Sequence, residues 1–266
     1  MKILYIGDIM GESGIKIVAQ LLPNLVKKER IDLVIAQSEN VTDGKSMLPT
    51  DMQRLQKIGV DFFTGGNHTP RRKELWPLLE NNDQPVIGPA NLRGCPGDGW
   101  KYIDTKNGKV LVISLLGDTF GNHKPEIDNP LHTIDKILAN NKDVERTATV
   151  VNFHGDYSSE KKVIGYYLDG RVTAVIGDHW HVPTADAMIL PKGTAHITDV
   201  GMCGALHSSL GVKTEVIISR WQNGKASRNE LETIGPRQFN AALIQTDPQT
   251  NLAVSINHIQ EIQYNQ

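Results

Sequence analysis

KILYIGD, residues 2–8, and LVIAQSEN, residues 33–40, each hold an unbroken apolar run of four, Ile3–Ile6 and Leu33–Ala36, with a small residue and a carboxylate close behind it. Ile3-Leu4-Tyr5-Ile6 reads as a buried strand, and so does Leu33-Val34-Ile35-Ala36. Between them, Ile15 to Arg30 predicts a helix, with Val18, Leu22, Leu25 and Val26 at helical spacing and Pro23 expected to kink or split it. Thr50 to Ile58 predicts a second helix with Thr50 as N-cap, Val60 to Thr64 a third strand, and Arg71 to Glu80 a third helix with an internal Pro77. This βαβαβα rhythm calls for a parallel sheet with covering helices.

Further along, Val110–Leu116 and Thr149–Phe153 predict strands, Ser158–Leu168 a helix and Val172–Ile176 another buried strand. From about Ala185 the pattern is strand-like: Ala187–Leu190, Ala195–Thr198, Thr214–Trp221, Ala241–Thr246 and Leu252–His258. Short strands in series predict a second, largely antiparallel sheet. No linker rich in Gly, Pro or Ser and no internal repeat divides the chain, so the expectation is a single domain over residues 1–266, an α/β fold of two packed sheets.

Composition narrows the function. The chain has 266 residues, 39% of them hydrophobic, and a formal net charge of −2 with no Lys/Arg block. Lys27, Lys28 and Arg30 read as the solvated end of a helix, and stable nucleic-acid binding is not expected without a broad basic face. Small phosphorylated substrates fit, because metal ions can supply positive charge locally. Cys95 and Cys203 form neither a disulfide framework nor a CxxC site. The chain opens directly on a strand, and no apolar stretch is long enough for a bilayer, so a cytoplasmic location is expected and the sequon Asn40-Val41-Thr42 carries no glycosylation meaning. Whether the chain assembles as a homo-oligomer stays open.

The chemistry lies where the strands end. Gly7-Asp8 follows the first strand, Ser38-Glu39-Asn40 the second and Gly65-Gly66-Asn67-His68 the third. His154 follows Phe153, and Gly177-Asp178-His179-Trp180-His181 follows Ile176. In open α/β sheets ligands bind at the carboxyl ends of the strands, so five such endings are expected to converge on one rim. Asp8 and Glu39 offer carboxylates, Asn40 and Asn67 amide oxygens, and His154, His179 and His181 imidazoles. Such mixed donors suit Fe, Mn, Zn or Co better than Ca. If residues 179–181 are extended, both rings of the histidine pair share one face. Glycines at 7, 65, 66 and 177 are expected to permit sharp turns and close approach. Taken singly, each residue has an ordinary structural explanation: a turn aspartate, a turn asparagine, a core histidine. The joint occurrence is what points to a metal pair. Neither a GxSxG elbow nor a GxxxxGK[ST] phosphate loop is present.

The ordered set Gly7-Asp8, Glu39-Asn40, Gly66-Asn67-His68, His154 and His179-x-His181 resembles the calcineurin-like metallophosphoesterases, closest to the bacterial YmdB-like subgroup. Pro89-Ala90-Asn91-Leu92, Ser159-Glu160-Lys161 and Thr198-Asp199-Val200-Gly201-Met202 extend the resemblance over residues 2 to about 260. It implies a four-layer α/β/β/α sandwich with two metal ions at one edge, iron or manganese first and zinc, cobalt or magnesium as alternatives. It further implies that Asp8, Glu39, Asn40 and His181 hold one ion, that Glu39, Asn67, His154 and His179 hold the other, and that Glu39 bridges them. The implied activity is phosphodiester hydrolysis, of 2′,3′-cyclic nucleotides, by hydroxide activated at the metal pair. His68 is expected to protonate the leaving group or to donate a hydrogen bond to phosphate. A phosphomonoesterase or nucleotidase on the same scaffold, a non-catalytic metal-binding regulator and an RNA-directed phosphodiesterase are the alternatives. Asp156, Trp180 and Cys203 depart from the subgroup pattern and bear on specificity. Trp180 has two readings, a base-stacking platform or a packed aromatic.

Overall fold

The structure is a computed structural model that describes residues 1–117 and 126–264. In chain order it forms β1 (Lys2–Ile6), β2 (Asp8–Ile9), α1 (Gly11–Glu29), β3 (Leu33–Gln37), α2 (Pro49–Ile58), β4 (Phe62–Thr64), two 3-10 turns (Thr69–Arg71 and Lys73–Leu75) and α3 (Trp76–Glu80). There follow β5 (Trp100–Thr105), β6 (Gly108–Leu116), α4 (Pro130–Asn140), β7 (Ala148–His154), α5 (Ser158–Tyr167) and β8 (Ala174–Asp178). The chain continues through β9 (Met188–Ile189), β10 (Ala195–Ile197), β11 (Met202–Ala205), α6 (Thr214–Asn223), β12 (Arg237–Thr246) and β13 (Ala253–Gln263).

One sheet has the order β2-β11-β12-β1-β3-β4, with β13 paired to β12; the other runs β5-β6-β7-β8-β10-β9. Both are mixed. β1, β3 and β4 are parallel, with Tyr5 opposite Ile35 and Ala36 opposite Phe63, and β12 enters antiparallel beside β1. The unbroken apolar runs are explained by burial on both faces. In β1, Ile3 and Tyr5 point into the core between the sheets, where they meet Val110, Val112, Val150 and Ile176. Leu4 and Ile6 point the other way, against Ile15, Val18 and Leu22 of α1 and Leu55 of α2. On the far side, Leu111, Ile113, Val151, Phe153 and Val175 pack against Ile134 and Ile137 of α4 and Ile164 of α5. These three cores separate four layers, helices–sheet–sheet–helices, as the family resemblance implied.

The second sheet is not largely antiparallel. β6, β7, β8 and β10 are all parallel, and only the edge strands β5 and β9 run the other way. The βα rhythm simply continues through α4 and α5, while the late strands β12 and β13 return to the first sheet. The segment Thr214–Trp221, predicted as a strand, is the helix α6. The predicted helix over 71–80 is broken into 3-10 turns and the single turn α3, which takes Pro77 into its first positions, where a missing N–H is harmless. Pro23 does not split α1, because it lies on the exposed face, where water can reach the carbonyl it frees.

The edge of β4 is covered by the segment at Pro85–Ile87, through Phe63 N–H to the Pro85 carbonyl (2.8 Å) and Ile87 N–H to the Phe63 carbonyl (3.0 Å). Lys101 anchors that segment. Its ammonium, on a side chain only 4% exposed, donates to the carbonyls of Leu78, Asn81, Gln84 and Val86 at 2.7–3.2 Å. Lys101→Met would take this donor from the Leu78 and Val86 carbonyls, at about 1–3 kcal/mol for each that stays buried, while the Asn81 and Gln84 carbonyls keep the backbone N–H groups of Gln84 and Val86. We expect a loss of about 3–5 kcal/mol after partial relaxation, seen as a drop of roughly 6–20 °C in the calorimetric melting temperature. An unchanged melting temperature would show that water replaces the ammonium at no cost.

Candidate active site

All seven side chains expected at the rim, and His68, come together at the carboxyl ends of the parallel strands. Asp8 starts β2, beyond Gly7. Glu39 and Asn40 follow β3, Asn67 and His68 follow β4, His154 ends β7, and His179 and His181 follow β8. Glu39 lies at the centre. Its Oε1 is 3.2 Å from His154 Nε2 and 3.3 Å from Asn40 Nδ2, and its Oε2 accepts the His68 backbone N–H at 2.8 Å. On one side, Asn40 Nδ2 also lies 3.1 Å from Asp8 Oδ1 and 3.3 Å from His181 Nε2, and His181 Nε2 is 3.7 Å from Asp8 Oδ2. On the other, His154 Nε2 is 3.1 Å from Asn67 Oδ1, and the His154 and His179 ring centres are 4.5 Å apart. Glu39, His154 and His179 each bring one ligand atom within 4.8 Å of the others.

The local backbone differs from expectation in two respects. Residues 179–181 are not extended. His179 has φ 107° and His181 φ 63°, so two left-handed backbone turns, rather than strand alternation, bring both rings to the site. None of Gly7, Gly65, Gly66 and Gly177 takes a positive φ. Their contribution is room: a Cβ on Gly66 would sit 2.3 Å from Glu39 Oε2 and 2.7 Å from His154 Nε2, and one on Gly177 would sit 1.9 Å from the Thr198 carbonyl oxygen.

Asp178 is the functional residue that strand-end reasoning passed over. Its Oδ1 accepts from His154 Nδ1 at 2.6 Å, and its Oδ2 accepts from Asn152 Nδ2 (2.5 Å), Gln37 Nε2 (3.1 Å) and the Tyr5 hydroxyl (3.1 Å). Asp178 could also be grouped with Asp8 and His154 around an ion. With four donors it is already saturated, so it fixes the His154 tautomer and aims Nε2 at Glu39 and Asn67. The one available signal was its position directly before the histidine pair.

The electrostatics suit a cation. Asp8 is fully buried, and its Oδ2 has no hydrogen-bond partner among the described residues. Burial, with Asp178 and Glu39 nearby, pushes its pKa well above the carboxylate range. Burial holds His179 neutral and lowers His181 to about 4, leaving their nitrogens available as ligands. Burial alone would lower His154 and raise Glu39, but their mutual attraction, with Asp178 on the histidine and His68 on the glutamate, holds His154 raised and Glu39 lowered. An orphaned buried carboxylate oxygen, a cradle that a Cβ would fill and a mixed set of oxygen and nitrogen donors fit a metal pair. Asn40 turns its Nδ2 toward the acids while its Oδ1 accepts from His68 Nδ1 at 2.9 Å, so offering an oxygen to a cation calls for a half-turn of the amide.

Two of the departures serve packing. The Trp180 ring covers the ammonium of Lys161, 4.0 Å from the ring centre, and Trp180 Nε1 donates to the Asp156 carbonyl at 2.8 Å, which favours the packed aromatic. Asp156 Oδ1 is 3.9 Å from His179 Nε2, beyond hydrogen-bond reach. Cys203 is buried against the backbone of Asn240, and burial pushes its thiol up to about 12.

Two packed mixed sheets bring to their shared rim a donor set that fits the metal-dependent class of phosphoesterases. The chain belongs to the YmdB-like protein family, whose model matches residues 4–259. It is 38% identical over 262 residues to the 2′,3′-cyclic-nucleotide 2′-phosphodiesterase of Bacillus subtilis, covering 97% of this chain and 96% of that protein. Among solved structures, a hypothetical protein from Thermus thermophilus matches with a TM-score of 0.89 and 34% identity, covering 98% of this chain and 99% of that one. A Mycoplasma pneumoniae protein described as a novel phosphatase matches with a TM-score of 0.90 and 29% identity, covering all of this chain and 94% of that one. Among the described residues no helix is long and apolar enough to cross a membrane.

Proposed function

We propose that this phosphoesterase hydrolyses 2′,3′-cyclic nucleotides, breaking the bond to the 2′ oxygen, with two metal ions held at the rim. Asp8, Glu39, Asn40 and His181 would hold one ion; Glu39, Asn67, His154 and His179 would hold the other. The observation that carries this reading is the place of Glu39, whose one carboxylate reaches both halves of the cluster. Iron or manganese suits the donors, and the Bacillus relative's name supplies the substrate class.

When bound, the metal pair supplies the charge that lowers the pKa of a water and neutralises the phosphoryl oxygens. The chain's own residues supply order and protons. Asp178 holds His154 in one tautomer. His68 stands against the Asn40 amide, Nδ1 2.9 Å from Oδ1 as the amide now lies, and in its imidazolium form its Nε2 would hand a proton to the departing ribose oxygen. The test is an assay of protein reconstituted with Mn²⁺ or Fe²⁺, with 2′,3′-cyclic nucleotides and p-nitrophenyl phosphate as substrates. A 3′-nucleotide product formed far faster than monoester hydrolysis is expected; monoester hydrolysis alone would establish a phosphomonoesterase instead.

Metal uptake is expected to rise with pH. His154 Nε2 can hold a proton or a metal ion, not both, and the same is true of an Asp8 oxygen. Both groups have raised pKa values. Lower pH therefore favours the proton, and higher pH frees the ligand. Each displaced proton adds a slope of up to about tenfold in apparent affinity per pH unit below the raised pKa. Calorimetric Mn²⁺ titration in buffers of different ionisation enthalpy would count the protons released; none released would contradict the assignment of His154.

A further inference from the structure

Behind the histidine pair lies an ion pair that the proposed chemistry does not use. Lys161 of α5 and Asp199, which follows β10, are both fully buried and 2.7 Å apart. Burying two charges is costly, and well-packed apolar residues in their place are often as stable, so stability alone does not account for the pair. Its other contacts do. Lys161 Nζ donates to the Asp178 carbonyl at 2.7 Å, and Asp199 Oδ2 accepts the Trp180 backbone N–H at 2.8 Å. Those are the two peptide groups on either side of His179. The carboxylate is itself held, since Asp199 Oδ1 accepts the Gly201 N–H at 2.9 Å, and the Trp180 ring closes over the ammonium at 4.0 Å.

His179 needs such a grip. Its φ of 107° is a conformation that residues with a Cβ rarely adopt, and it persists only where the surroundings impose it. A relaxed backbone at 179 would swing the ring away from His154 and Glu39. His181 is held separately, with Nδ1 3.2 Å from the Leu210 carbonyl and Nε2 against Asn40.

We propose that Lys161 and Asp199 are positioning residues that clamp the strained backbone of His179 and thereby set the affinity of the metal site it completes, while leaving the Asp8–His181 site largely untouched. The proposal rests on the reading of His179 as a ligand. The clamp acts through the peptide groups of 178 and 180, and neither side chain touches an ion or a substrate.

The test is titration of the full chain with Mn²⁺, followed by calorimetry and by elemental analysis after desalting. Lys161→Met removes the donor but strands a buried carboxylate, so the charge-neutral double variant Lys161→Met/Asp199→Asn is measured beside it. His179→Ala serves as reference, and circular dichroism establishes that each variant is folded. One Mn²⁺ site should weaken about 10–100-fold in the clamp variants, while the other stays within about twofold of the parent. His179→Ala should weaken that same site at least as much. Both sites retaining parental affinity in a folded double variant would overturn the clamp, and so would equal weakening of both sites, which marks general loosening. If His179→Ala leaves both sites unchanged, the ligand reading itself fails and takes the clamp with it. Loss in His179→Ala without loss in the double variant removes the clamp alone.

Discussion

Glu39→Gln is expected to abolish turnover, lowering kcat/KM by about a thousandfold or more, because it removes the one carboxylate that both halves of the cluster share. The substitution is nearly isosteric, so the cost is not one of packing. A neutral amide offers its oxygen to one side and turns N–H donors toward the other, where His154 Nε2 stands 3.2 Å and Asn40 Nδ2 3.3 Å from the present Oε1. A cation on either side loses a full negative charge in a buried setting, where charges are poorly screened. Stability should respond far less than activity, because the attraction to His154 that is lost is offset by relief of Asp8. Glu39 adds to the burden on Asp8, whose pKa is pushed up by burial first, then by Asp178 and Glu39. In chelator-treated protein, Glu39→Gln should therefore melt within a few degrees of the parent. Added Mn²⁺ should raise the parent's stability by about 2.7 kcal/mol at a hundred times the dissociation constant and the variant's by little or nothing. A variant that keeps its Mn²⁺-dependent thermal shift would sink the bridging role of Glu39 even if turnover were lost.

The site was legible because strand ends are legible. A run such as Ile3–Ile6, closed by Gly7-Asp8, states where a strand stops and which chemical group emerges there. The carboxyl ends of parallel strands must share a rim once the sheet is formed. The helices covering the first sheet were legible from the βα rhythm, whereas the four layers followed only from the family resemblance. What stayed hidden depends on tertiary context. Val216, Ile217 and Ile218 gave Thr214–Trp221 the look of a strand, yet Glu215 in the first turn, Arg220 in the last and Gly224 as a left-handed cap fit a helix. That helix buries none of its residues, so no core periodicity was available to read. The destination of β12 was hidden because an antiparallel partner can lie anywhere along the chain. The sign of φ at His179 and His181 has no sequence signal when the residue is not glycine. Asp178, Lys161 and Asp199 escaped because the residues that aim a ligand are recognised by what they touch, and their partners are up to 173 positions away, as between Asp178 and Tyr5.

His68→Ala separates two roles that share one location. The imidazole is about a quarter exposed, its backbone N–H reaches Glu39, and its Nδ1 lies 2.9 Å from Asn40 Oδ1. Burial lowers its pKa, with Arg71 and Lys45 adding to the effect and Glu39 opposing it. The acid form is the imidazolium, so acid catalysis by His68 must fade as pH rises past that lowered pKa. A bound phosphate anion, by adding negative charge near Nε2, would shift it back toward neutrality. If His68 protonates a ribose leaving group, its removal should lower kcat by about 10²–10⁴ for a cyclic nucleotide and flatten the alkaline fall of the rate profile, with metal content unchanged. A p-nitrophenolate leaving group needs no proton, so with bis-p-nitrophenyl phosphate the same variant should lose roughly tenfold or less. A hydrogen bond to the phosphoryl oxygens would instead be missed equally by both substrates. Equal losses on the two would therefore assign His68 to phosphate binding, and the proton for the ribose oxygen would have to come from water or another side chain.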